Sequence, residues 1–212
     1  MRKTLFLTCA LLTASVSPLL AESPAAAVQE ATATPSYTEA QEKAIARYAF
    51  EVLVRSFDDT NKAGINMLDE TDKDPAHIVK KLEIDNEIFK SVSTEGLPEN
   101  VIAYFKARNE KLQGILKDVK NLEKDGKLVE AFEEYSKSDQ DNASKLGLEA
   151  ILAEQMKEVI DSAAVMKWMV DYQTKHPELQ TKDPKQAQAE ITKGLFTDVI
   201  IPSIKAYLAE KN

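Results

Sequence analysis

The sequence predicts an all-α protein, a multi-helix bundle of about five to six helices preceded by a signal peptide and a flexible tether. Three observations carry this expectation. The 212 residues include only six Gly and eight Pro. The stretch between Pro98 and Pro177 has no other Pro and just Gly114, Gly126 and Gly147, which favours helices over turn-rich sheet classes. Apolar residues recur at spacings of three and four, the period of one helix face. Two Asp-Pro pairs, Asp74-Pro75 and Asp183-Pro184, are helix starts, because the carboxylate accepts from free N–H groups while Pro in the first turn loses no hydrogen bond.

At the N-terminus, Arg2 and Lys3 precede an uncharged apolar run from Thr4 to Val16. A run of about 13 residues is short of the ~20 a membrane span needs and reads as a secretory signal peptide. Residues 1–21 are expected to be removed after Ala21, with Ala25-Ala26-Ala27 as a second cleavage point. Thr8 before Cys9 is a poor lipoprotein signal, so lipid anchoring is disfavoured. Cleavage would remove the one cysteine and leave a chain held by its core alone. Residues 22–36, rich in Ala, Pro, Thr and Ser, read as a linker, and residues 37–212 as one helical domain.

Within that domain, Thr38 and Gln41 have capping-box spacing and start the first helix, whose apolar face is Ile45, Tyr48, Ala49 and Val52. A bend or break is expected in the polar stretch Asp58 to Asn61. The second helix starts at Asp74-Pro75 and carries Ile78, Val79, Leu82, Ile88 and Phe89. The third, after Pro98, carries Val101, Phe105, Leu112, Ile115 and Val119, a bundle seam. A short fourth helix, marked by Leu128, Phe132 and Tyr135, is expected to end in a polar loop from Ser136 to Ser144. The fifth, from Leu148 to Val170, is the most hydrophobic and is expected to be central. The last begins at Asp183-Pro184, and its apolar stripe rotates near Pro202, predicting a kink there.

Lys and Arg number 27 against 35 acids, a formal charge of -8, so nucleic acid and anionic membranes are disfavoured partners. His77 and His176 lie far apart, and HExxH, Glu-x-x-His and CxxCH patterns are missing from the sequence. The acidic stretch Asp69 to Asp74 fails as a calcium loop, because His77 stands where the turn needs Gly. That stretch reads as a solvated helix cap, and the Asp139–Asp141 segment as a solvated loop. Nucleophile-elbow and glycine-rich phosphate-loop patterns are also missing. No cofactor or metal is expected. Lys106, Lys117, Lys120 and Lys124 share one side of the third helix with interleaved acids and read as a solvated face.

Three residues stand out as possible partner or ligand contacts. Arg108 falls between Phe105 and Leu112 in the apolar sector of the third helix, where an unpaired guanidinium would be costly. It is expected to enter a buried or half-buried ion pair or hydrogen-bond network, against two other readings: a packed stem with its head in water, or binding of an anionic ligand. Trp168, the sole tryptophan, falls opposite the main stripe of a continuous fifth helix, with Tyr172 beside it. Either another element covers it or the two rings form an exposed contact pair. The function expected is that of an exported bacterial helical binding or interaction protein, an envelope scaffold, adaptor or chaperone-like protein. It would be non-catalytic, periplasmic or secreted, without a membrane span, and its partner a protein or peptide. The alternative is a helical enzyme with a site assembled from scattered Asp, Glu, Tyr and His.

Overall fold

The computed structural model describes residues 35–69 and 71–210. The expected signal peptide and nearly all of the expected linker lie outside the described residues. The described residues are mostly helical, without a strand, and divide into two compact units, one ending at Ala153 and the other beginning at Glu154.

The first unit holds α1 (Glu39–Lys62), α2 (Pro75–Ser91), α3 (Glu99–Lys124), α4 (Leu128–Lys145) and the first half of α5 (Leu148–Val159). The start of α1 is the expected capping box: the Gln41 N–H donates to Thr38 Oγ1 at 3.3 Å, and the Thr38 N–H to Gln41 Oε1 at 2.9 Å. Asp74 caps α2 by accepting from the Ala76 N–H at 2.9 Å, with Pro75 in the first turn. α2 packs on α1, α3 and α4, and α3 packs on α4. Ile78, Leu82, Leu112, Leu128 and Tyr135 form one core cluster among these helices. Tyr48, Phe105 and Tyr104 form a second focus, with ring centroids 4.3 Å and 4.9 Å apart.

Two expectations for this unit are corrected. α1 runs without a break through Asp58 to Asn61, because its inner face there is polar but satisfied: Ser56 donates to Asp85 and Thr60 to the Ser56 carbonyl, all three side chains buried. The segment Ser136 to Ser144 is helix, not loop, so α4 extends to Lys145. Ser136, Asp139 and Ala143 are buried along it. A helix face that buries hydroxyl and carboxylate groups escapes an apolar-periodicity count.

The second unit holds the end of α5, α6 (Ser162–Lys175), a 3₁₀ turn (Pro177–Gln180), α7 (Pro184–Leu195), a π-helical turn (Phe196–Ile200) and α8 (Ile201–Glu210). The expected continuous fifth helix is in fact two. Ile160 and Asp161 interrupt it, and Asp161 caps α6 by accepting from the Ala163 N–H at 2.8 Å. Met166 and Val170, expected on its central stripe, are 57% and 62% exposed. The stripe failed because a cap resets the helix phase. The helix distortion expected at Pro202 takes the form of the π turn just before it. Ile201 donates to the Phe196 carbonyl five residues back, so the inward face shifts from Leu195 and Phe196 to Ile200, Ile201 and Ile204.

Candidate functional site

The polar core of the first unit and a pocket on it coincide. Arg108 projects from α3 one turn after Tyr104, and Asp139 from α4 one turn after Tyr135, so two helix faces bring four polar side chains together. Arg108 is 6% exposed and Asp139 5%. Arg108 Nε lies 2.9 Å from Asp139 Oδ2, although the N–H points off the line to the oxygen, so the contact is an ion pair and not a linear hydrogen bond. The Tyr104 hydroxyl donates to Asp139 Oδ1 at 2.5 Å. The guanidinium carbon stands 4.3 Å over the Phe89 ring of α2, adding a cation–π contact. The ion pair expected of Arg108 is therefore present, and the solvated loop expected at Asp139 is not.

Burial opposes every charge in this cluster. It raises the Asp139 carboxyl above the usual range, although Arg108, the Tyr104 hydroxyl and Lys111 act to lower it. It works equally against the Arg108 cation, but the surrounding groups, Asp139 first, outweigh it and hold the guanidinium charged. Burial also holds the Tyr104 and Tyr135 phenols well above their ordinary values, so both remain protonated at neutral pH. Burial also pushes Asp85 of α2 up to about 6, despite the Arg108 guanidinium and a 3.0 Å hydrogen bond from Ser56.

A pocket of about 360 Å³ opens over this network between α3 and α4. Tyr104, Arg108, Tyr135 and Asp139 are its buried lining, and Ala107, Lys111, Asn142 and Lys145 its exposed rim. The volume is within the range of small-ligand sites. Lys111 reaches across the rim to donate to Ser138 at 2.7 Å. Two atoms of the cluster stand out: the Arg108 Nε–H, paired by charge alone, and the Tyr135 hydroxyl, which is buried without a hydrogen-bond partner.

The other two expected contact residues belong to the second unit, where Trp168 and Tyr172 are half-buried on α6. Their rings stack at 4.5 Å, and Tyr172 meets the His176 ring in a tilted contact at 4.3 Å. Trp168 Nε1 donates to Asp198 at 3.1 Å. The rings lie so close over α7 that a Cβ at Gly194 would sit 2.8 Å from Tyr172. The element that covers Trp168 is thus α7 with its π turn. The acidic stretch before α2 is less solvated than expected: Asp72 takes the buried Lys81 at 3.1 Å and His77 at 3.0 Å. Among the described residues, no group of three or more His, Cys, Asp or Glu is arranged to hold a metal ion, and no helix is long and apolar enough to cross a membrane. Lys106, Lys117, Lys120 and Lys124 of α3 are all exposed.

Comparison with protein-family models, curated proteins and solved structures finds no match for this chain. The chemistry of the site therefore rests on its own residues. Sequence reasoning found Arg108 but missed Asp139, Tyr104 and the role of Tyr135. The signal was present: the spacing Leu128, Tyr135, Asp139, Ala143 continues one helix face, provided a carboxylate is allowed on it.

Proposed function

We propose that the chain is an exported bacterial helical binding or interaction protein, non-catalytic, periplasmic or secreted, whose occupant enters the pocket between α3 and α4. One observation carries the reading: a concavity of ligand size built directly over a buried, charged network whose Tyr135 hydroxyl lacks a partner. The occupant is a small group, either a free molecule or one side chain of a protein or peptide. Export is supported by the sequence pattern of residues 1–21. Ligand-observed NMR with acidic, basic and neutral fragments tests the site. At least one class is expected to bind, and Ala107→Trp, a change at the exposed rim, is expected to block it while leaving the network intact. Fragments indifferent to that variant would place binding elsewhere.

The enzyme alternative has one observation in its favour, since Tyr104 and Asp139 are titratable groups within hydrogen-bond reach in a cleft. Against it, Asp139 uses both oxygens on Tyr104 and Arg108, and a phenol held this far above neutrality is a poor proton donor. Bound fragments are expected to be recovered unchanged. Conversion that disappears in Tyr104→Phe would favour the enzyme.

A further inference from the structure

The pocket between α3 and α4 combines an excess of positive charge with an unmade hydrogen bond. Arg108, Lys111 and Lys145 line it against a single carboxylate, Asp139. That carboxylate is already engaged, by Tyr104 at 2.5 Å and Arg108 at 2.9 Å, and offers little to a cation. Tyr135, 4% exposed, lines the same space with its hydroxyl unpartnered. A buried hydroxyl without a partner is costly, and a ligand that satisfies it recovers the loss. Burial keeps this phenol protonated, so it is available as a donor. The Arg108 guanidinium faces the hydroxyl oxygen, by charge and as a donor, which leaves the O–H itself without an acceptor. Both groups therefore favour an acceptor carrying negative charge.

We propose that this pocket binds a small monovalent organic carboxylate with an apolar body, its carboxylate taking the Tyr135 O–H and facing Arg108 while Lys111 and Lys145 draw it in from the rim. The inference rests on the reading of this pocket as the binding site. A single negative charge is favoured over a phosphate dianion, because the ligand must lie beside the buried carboxylate of Asp139. An apolar body suits the rest of the lining, where Ala107, Leu146 and the two tyrosine rings stand.

Titration of the intact protein with benzoate, hexanoate, inorganic phosphate, benzamide, benzylamine and an acetylated dipeptide with a free C-terminus, followed by NMR, tests this. Benzoate and hexanoate are expected to bind, with affinity falling as salt is added, and more tightly than benzamide, benzylamine or phosphate. Tyr135→Phe is expected to weaken the acids about fivefold or more. Lys111→Met, on the exposed rim, is expected to weaken them and flatten the salt dependence even if the buried variant fails to fold. Benzamide or benzylamine binding as well as benzoate would overturn the carboxylate assignment while leaving the pocket as the site. The dipeptide binding more tightly than both free acids would overturn the small-acid source and assign the carboxylate to a peptide. Binding unchanged in Lys111→Met and Tyr135→Phe would overturn the proposal, and failure of every probe to bind would sink both it and the reading on which it rests.

Discussion

Arg108 and Asp139 are buried charges whose worth depends on each other. Removing one leaves the other uncompensated, so Asp139→Ala is expected to cost about 3–5 kcal/mol in urea unfolding. The double replacement Arg108→Met with Asp139→Leu is expected to recover most of that, because an apolar pair avoids the desolvation of both ions. Losses that simply add would show that the two side chains do not act as a pair. Asp85 gives a pH signature. Its folded pKa, about 6, lies above the ordinary carboxylate value of 3.8. The folded state therefore holds the proton more tightly than the unfolded chain, and stability falls as pH rises from about 4 to about 6, by an order of 2–3 kcal/mol. Asp85→Asn keeps a polar group opposite Ser56 and is expected to flatten that slope and stabilise the protein at pH 8. An unchanged slope would mean that another group titrates, with Asp139 the first to examine.

At the scale of the element, the second unit depends on a close approach. Gly194 sits inside α7, where alanine would ordinarily stabilise a helix by about 0.5–1 kcal/mol. Here its methyl would meet Tyr172 at 2.8 Å and Trp168 at 3.0 Å. Overpacking of that kind costs about 1–3 kcal/mol, so Gly194→Ala is expected to destabilise on balance. Because Trp168 is the sole tryptophan and contacts the site directly, its emission should shift in the same variant. A stabilised variant with unshifted emission would show that the rings move aside freely. The break between α5 and α6 makes a smaller demand. Asp161→Ala removes one cap and is expected to cost about 0.5–2 kcal/mol, measured by thermal unfolding.

For the molecule as a whole, the proposed export has a direct check. N-terminal sequencing of the protein from a bacterial envelope fraction or medium is expected to begin after Ala21, and recovery of Met1 there would refute cleavage. The two units also divide the candidate contacts between them: Arg108 lies in the first, Trp168 and Tyr172 in the second. The pocket draws on α3, α4 and Leu146 just past α4, all within the first unit.

The helical class and most element starts were legible in the residues themselves. Asp74-Pro75, Asp183-Pro184 and the Thr38–Gln41 box act through hydrogen bonds between near neighbours in sequence, and such local chemistry can be read without knowing the fold. Arg108 was legible for the opposite reason, as a charge out of place in an apolar stripe. What the stripe did not contain was the answer to that charge. Asp139 stands 31 residues away in a segment that is polar by composition, and only the packing of α4 against α3 turned it inward. Periodicity measures apolar side chains, so a helix that buries Ser136 and Asp139 looked like loop, and a helix restarted by Asp161 looked continuous. The pocket, the unpartnered hydroxyl of Tyr135 and the cover over Trp168 all arise where separate helices meet, and contacts between distant segments are decided by tertiary structure.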